Sequence, residues 1–299
     1  MSLGLQDLSC VIPVSNYFLN GSNLKALIDA TSEYNLELIL SCDSLTEREL
    51  KELNDVIESK PRVGSIQQIA GDFDNPGEPR NRGMKLATRK YLVFWDCDDM
   101  PNIEGIESAL GSLKSESNDF IVGSFAILNG EDSEKIELIN TNSETALEIL
   151  KRELVRNPGI WRILFKRDFV QDLTFPRIKC GEDQVFIEKV LALGPKFETK
   201  SELFYFYRRG NAGSTSNLSS SRKDLSAAIL EGEILLKRKM IFNYEIITSM
   251  ILKQYFSLLK FAELRVKLRY SIKLFVFIST KPILTTKLAN KIVRESLGR

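Results

Sequence analysis

Over its first hundred residues the chain alternates short apolar runs with amphipathic stretches, and that rhythm restricts the fold more than any other feature. Cys10-Val-Ile-Pro-Val14 reads as a strand, and apolar residues from Leu24 to Ser32 recur at helical spacing. Leu36 to Leu40 is a second strand, followed by a helix from Thr46 to Ser59 that opens with the capping box Thr46-x-x-Glu49. Val63 to Ala70 is a third strand. Beyond a loop rich in Gly, Pro and Asp (Gly71 to Pro79), Asn81 to Thr88 reads as a helix and Tyr91-Leu-Val-Phe-Trp95 as a buried strand running into Asp96-Cys97-Asp98-Asp99. This order predicts an α/β fold around a mostly parallel, doubly wound sheet, with any ligand at the carboxyl ends of the strands.

Further strands are expected at Phe120 to Leu128, Ile160 to Phe165 and Leu203 to Tyr207, with a short helix from Asp183 to Leu193. Gly210 to Ser221, rich in Gly, Ser and Asn, reads as a loop or linker, and from Lys223 onward the pattern is helical. The 299 residues therefore divide into a main domain, 1–221, and a helical extension, 222–299. Charge divides there too. Lys and Arg number 25 against 34 Asp and Glu in the first part, and 16 against 6 in the second. With no secretory leader, no uninterrupted apolar run of membrane-spanning length and four scattered cysteines (Cys10, Cys42, Cys97, Cys180), the chain reads as cytoplasmic with small buried thiols. No nucleic-acid partner is expected.

The sequence has no histidine. Ser-His-Asp and Cys-His nucleophile pairs, His-ligated zinc and HExxH peptidases are thereby excluded, and acid–base work falls mainly to carboxylates. Neither GxxxxGK[ST] nor a GxGxxG after the first strand is present, which removes the main support for P-loop and dinucleotide-binding enzymes. The strand ends instead carry Asn16, Asp43 and Asp96 to Asp99, with Arg80 heading the helix before the fourth strand. An amide, a cation and several carboxylates on one rim suit a nucleotide diphosphate held through a divalent metal. Three carboxylates at the end of a strand this apolar repel one another unless a cation joins them.

These residues resemble the inverting glycosyltransferases of family 2, which have the GT-A fold. Val11-Ile-Pro-Val-Ser-Asn16 is similar to the family's opening strand, and Glu37-Leu-Ile-Leu-Ser-Cys-Asp43 to the strand ending in the base-reading aspartate. Arg80-Asn-Arg-Gly83 resembles the Arg-Asn-x-Gly helix, and Tyr91 to Asp99 the strand ending in the Asp-x-Asp metal motif. Trp161 to Phe165, Gly181-Glu-Asp183 and Tyr205 to Ser216 resemble the acceptor-side segments, so the likeness spans roughly residues 8 to 217. It departs after Asp43, where Ser44-Leu-Thr-Glu47 stands in place of Gly-Ser-Thr-Asp, at Glu78-Pro79, where two small residues are usual, and at Ile163, where a lysine is common.

The resemblance implies a UDP-sugar donor, Mn²⁺ or Mg²⁺, and a carbohydrate or lipid-linked sugar acceptor in bacterial surface-polysaccharide synthesis. Asp43 would accept from the uracil imide, with Val14 and Asn16 lining the base pocket and Arg80 facing the base or diphosphate. Asp98, with Asp96, would hold the metal, and Asp96 would also approach the ribose. Asp183 would be the general base and Glu182 would orient the acceptor. Arg208 and Arg209 would contact the donor, and Trp161 would serve as acceptor platform or core. Structural alternatives stand beside these roles: Arg80 pairing with Glu78 or Asp74 on the surface, and Asp183 acting as a helix cap. The basic helix from Leu264 to Thr280 either meets anionic lipid or packs as a cap or homodimer interface, the pattern serving both. Rival functions are a sugar-nucleotide nucleotidyltransferase and a GT-A module kept for binding or scaffolding.

Overall fold

The computed structural model describes residues 3–15, 17–113, 117–129, 133–137, 139, 145–209, 225–238 and 242–280. Its first half is built from β1 (Leu8–Val14), β2 (Glu37–Asp43), β3 (Ser65–Gly71) and β4 (Tyr91–Phe94), all parallel, in the spatial order β3-β2-β1-β4. Helices α1 (Tyr17–Ala30), α2 (Glu47–Glu58) and α3 (Gly77–Leu86) make the crossovers. Strands β1, β2 and β4 are buried along nearly their whole length because both faces are covered, whereas β3, at the edge, is partly exposed. Val11, Ile39, Leu92 and Phe94 enter one core cluster, while Cys10, Ile12, Leu38, Leu40, Val93 and Trp95 enter the other. That alternation is the two-residue period of a pleated strand.

Helix α2 carries the expected capping box, with the Thr46 hydroxyl accepting from the Glu49 amide and the Glu49 carboxylate accepting from the Thr46 amide. Helix α3 starts four residues before the expected Asn81: the Asn75 side chain accepts the Glu78 N–H at 3.0 Å, and Pro79 sits in the first turn, where a missing N–H costs nothing. Gly83 lets α3 lie directly on the sheet, since a Cβ there would come within 2.4 Å of Val11 Cγ1.

Beyond Asp99 the regular rhythm stops. The chain forms β5 (Met100–Pro101), α4 (Ile103–Gly111), β6 (Phe120–Asn129), β7 (Ser133–Glu137), α5 (Ala146–Arg156), β8 (Ile163–Lys166), α6 (Arg167–Val170), α7 (Glu182–Ala192) and β9 (Phe197–Arg209). The sheet continues as β4-β8-β6-β9-β5, antiparallel at β4–β8, β8–β6 and β9–β5 and parallel at β6–β9, with β7 antiparallel on β6. The run β3-β2-β1-β4 is thus all parallel, and the rest of the sheet is mixed.

Helices α8 (Leu225–Leu235), α9 (Tyr244–Phe261) and α10 (Leu264–Ser279) follow. Ile229, Ile247, Met250 and Ile251 share one hydrophobic cluster with Leu150 of α5 and Phe186 and Val190 of α7. The helical extension therefore extends the core of the α/β body and supports α7 from behind. The expected linker Gly210 to Ser221, with the boundary at 221, lies outside the described residues.

Candidate active site

The site lies where the strand order reverses, between β1 and β4. Register between them ends at the pair Val11 and Phe94, so Pro13, which has no N–H to donate, occupies a stretch of β1 without a β4 neighbour. The strands part there, and the chain leaving β4 turns through Asp96 to Asp99. A crevice at this reversal is the usual ligand site of an open α/β sheet.

Arg80 of α3 occupies the crevice and is 5% exposed. Its Nη2 lies 2.9 Å from Asp96 Oδ1, and its Nη1 lies 3.0 Å from Glu182 Oε1 and 3.4 Å from Asp183 Oδ1. Nη1 also donates to the Pro76 carbonyl, and the guanidinium carbon sits 5.7 Å from the Phe175 ring centre. The surface pairing considered for Arg80 is thereby excluded. Glu78 pairs with Arg82 at 2.9 Å and Asp74 with Lys179 at 3.6 Å, because residues two apart on a helix face different ways.

One cation therefore faces three carboxylates. Burial alone would lower the Arg80 pKa, but the charges of Asp183, Asp96 and Glu182 raise it instead. Asp183 is pushed up to about 7 by burial, against the pull of Arg80 and with a push from Glu182. Asp96 rises to about 6, again mainly by burial, with Arg80 opposing and Asp183 and Asp98 adding to the shift. Both still meet solvent, with side chains 26% and 31% exposed, so a ligand reaches them. Glu182 is more enclosed and spends Oε1 on Arg80, whereas Asp183 Oδ1 has no hydrogen-bond donor, only the longer ionic contact. Helix α7 begins at Glu182 after Gly181, whose φ of 84° requires the left-handed region.

At the end of β2, Asp43 Oδ1 accepts the Phe73 N–H at 2.8 Å and the Ser44 hydroxyl at 3.0 Å. Both bonds use Oδ1, and Oδ2 takes part in neither. Ser44 has φ 55°, a conformation that glycine adopts freely, and it stands where the family pattern has glycine. Its hydroxyl is 2.8 Å from Asp72 Oδ1 and its N–H donates to the Gly71 carbonyl, bonds that hold the strained turn. Val14 is buried at the end of β1. Asn16 lies outside the described residues.

Strand β9 closes the other side. The Tyr205 hydroxyl accepts the Asp96 N–H at 3.0 Å, and Asp99 Oδ1 accepts the Arg208 N–H at 2.7 Å. Burial, with the nearby Asp96 charge, pushes Asp99 up to about 8. Asp99 therefore fastens the acidic turn to β9. The sequence marked Tyr205 only as the start of an acceptor-side segment, and its bond to a backbone amide 109 residues away leaves no trace in the pattern of side chains. Trp161 is buried, stacked on Tyr205 at 4.6 Å and on Tyr207 at 5.4 Å. Of the two roles expected of Trp161, core packing fits this burial, and the ring backs Tyr205. The Arg208 guanidinium donates to Asn23 Oδ1 of α1 at 2.8 Å, tying β9 to α1. The side chain of Arg209 lies outside the described residues.

A cavity of about 520 Å³ opens beside the loop between β3 and α3, lined by Phe73, Asn75, Glu78, Arg82, Arg177 and Lys179 among others. Its walls do not include Arg80, Asp96 or Asp183, and the chemistry is assigned to the carboxylate cluster, where charges converge. Asp98 stands half-buried beside Asp96, and its charge adds to the rise in the Asp96 pKa. Among the described residues no three Asp, Glu, Cys or His side chains form a ready-made cage.

Residues 9–174 match the profile of Glycosyl transferase family 2, more than half of the chain. The chain belongs to that family. A curated relative, the poly(ribitol-phosphate) beta-glucosyltransferase of Bacillus spizizenii, is 27% identical over 246 residues, covering 78% of this chain and 38% of the relative. This chain thus spans well under half of that protein. Staphylococcus aureus TarS 1-349, solved with UDP-GlcNAc, superposes with a TM-score of 0.69 at 18% identity, over 92% of this chain and 82% of TarS 1-349. The mannosyltransferase PcManGT of Pyrobaculum calidifontis, solved with GDP-Man and Mn²⁺, gives 0.59 at 11% identity, over 97% and 80% of the two chains. The likeness to TarS bears out the GT-A fold expected from the sequence.

Proposed function

We propose that this family 2 protein is a metal-dependent, inverting glycosyltransferase that moves a sugar from a UDP-sugar to a hydroxyl of a carbohydrate or lipid-linked sugar acceptor in bacterial surface-polysaccharide synthesis, acting in the cytoplasm. One observation carries the reading: Arg80 draws Asp96, at the end of β4, together with Glu182 and Asp183, at the start of α7. A donor-side acid and an acceptor-side base thereby share one crevice. TarS binding UDP-GlcNAc supports the donor class, and the name of the Bacillus enzyme supports an anionic surface polymer as acceptor.

In this reading Asp183 removes the proton of the acceptor hydroxyl as that oxygen attacks the anomeric carbon. The bond from that carbon to the diphosphate oxygen breaks, its electron pair leaves with the diphosphate, and the configuration inverts. A carboxylate raised to about 7 is a better base than an ordinary aspartate and is still ionised in part at neutral pH. Glu182, bonded to Arg80, holds the base and orients the acceptor. Asp43 Oδ2 meets the uracil imide, and Val14 and Asn16 line the base. Arg208 and Arg209, at the end of β9, are the candidate donor contacts, and Trp161 supports that strand through Tyr205.

The donor set fits a hard cation. Asp96 is raised by burial and by the neighbouring charges of Asp183 and Asp98, the mark of an anionic pocket short of positive charge. Mg²⁺ is commonly held by one or two carboxylates together with substrate phosphates and water, which agrees with two aspartates and no protein cage. Bound by Asp98 and Asp96, Mg²⁺ or Mn²⁺ would neutralise the departing diphosphate.

The test is Asp183→Asn, which preserves shape and removes basicity. Turnover is expected to fall about 10²- to 10⁴-fold while UDP-sugar affinity and melting temperature stay near those of the parent. Near-normal turnover would make Asp183 a structural residue and overturn the assignment.

A further inference from the structure

Helix α10 has two apolar faces, and among the described residues only one is covered. Tyr270, Leu274 and Phe277 are buried, with Tyr270 and Phe277 packed on Tyr255 of α9 at 6.2 and 5.7 Å between ring centres. On the other side Leu264, Leu268, Ile272 and Phe275 are 83%, 67%, 60% and 72% exposed. Their spacing of four, four and three residues lines them up along one side of the helix. A stripe of large side chains this open is unusual on a soluble surface and marks a contact site.

The charges identify what covers it. Helix α10 carries Arg265, Lys267, Arg269 and Lys273 and no acidic residue. Arg265, Arg269 and Lys273, spaced by four, form a row beside the apolar stripe, and Lys267 lies on its other flank. A second copy of this chain docking helix to helix would set these cation rows against each other with no carboxylate on α10 between them. A surface that takes apolar side chains and offers negative charge at its rim satisfies both features at once, and that is an anionic bilayer. No helix among the described residues is long and apolar enough to cross a membrane, so the contact is one of lying on the surface.

We infer that the Leu264–Leu268–Ile272–Phe275 face of α10, with its basic row, docks the protein on the surface of an anionic phospholipid membrane. The same element does two jobs: one face completes the core behind α9, and the other faces lipid. This proposal stands apart from the catalytic reading, because no residue of α10 belongs to the Arg80 crevice.

The experiment is co-sedimentation of the full chain with phosphatidylglycerol-rich vesicles, with pure phosphatidylcholine vesicles as reference. Binding to the anionic vesicles is expected, with release as ionic strength is raised toward molar salt. The triple variant L268Q/I272Q/F275Q is expected to lower the partition coefficient by about 100-fold, and R265Q/R269Q/K273Q to remove the preference for anionic lipid. Every substituted side chain in the first set is solvent-exposed, so both melting temperature and UDP-sugar binding should match the parent. Equal sedimentation of parent and both variants would overturn the proposal. So would a dimer, seen by analytical ultracentrifugation without lipid, that the first triple variant dissociates, since the face would then belong to a second copy.

Discussion

Glu188 offers a sharp test of the packing behind the active site. It lies on α7 beyond Asp183 and is 0% exposed. Gln184 Nε2 donates to its Oε1 at 2.8 Å, while Oε2 has no hydrogen-bond partner. Gly232 of α8 faces it so closely that a Cβ there would stand 2.8 Å from Oε2. Burial pushes this carboxyl from its ordinary 4.5 up to about 8, with the Gln184 bond opposing the shift. The unfolded chain releases this proton near its ordinary value and the folded chain keeps it, so stability is full below that value and declines as pH rises toward about 8. At ~1.4 kcal/mol for each step of one in pKa, the loss reaches ~3 kcal/mol by neutral pH. Gln has the shape of the protonated acid and does not titrate. Glu188→Gln should therefore match the parent near pH 4.5 and exceed it by ~2 to 3 kcal/mol at neutral pH, with the gap still wider at pH 8. Urea unfolding of both proteins across this range, comparing midpoints at constant m, measures the gap. A gap independent of pH, or one that narrows as pH rises, would refute a neutral carboxyl buried between α7 and α8.

Chelation, or Asp98→Asn, should weaken UDP binding measured by calorimetry, and equal affinity with and without Mn²⁺ or Mg²⁺ would remove the metal from the mechanism. Asp43→Asn keeps an oxygen for the Phe73 N–H but sets an amide group before the base. Loss of a charged hydrogen bond, about 1.5 to 3 kcal/mol, should cost at least about tenfold in UDP affinity and erase any preference over CDP. Glu37, at the opposite end of the sheet, accepts from Ser9, Gln67 and twice from Thr88. Glu37→Ala should cost ~3 kcal/mol in chemical denaturation with UDP affinity unchanged, because it removes the acceptor of four hydrogen bonds, that of the buried Ser9 hydroxyl among them, far from the crevice.

What the sequence determined by itself was local. Apolar runs at the strand period, the Thr46 capping box and the carboxylates after Trp95 announced a parallel α/β core with an acidic rim, since strand burial and helix capping depend on neighbours a few residues away. The order of the family's motifs added Arg80 and the Glu182–Asp183 pair. Only the tertiary structure decided what Arg80 does. Its partners lie 16 and 102 residues along the chain, and Arg82, two residues on, turns outward to Glu78. Tyr205 and Asp99 join the site the same way, through backbone amides of distant segments that no side-chain pattern records. Trp161 became a buried stacking partner because β9 closes over it, and α10 kept one apolar face outward because α9 covers only the other. Helix and strand preferences act over a turn or two of chain. Which charges meet, and which faces stay open, is decided when the sheet and its helices close on one another.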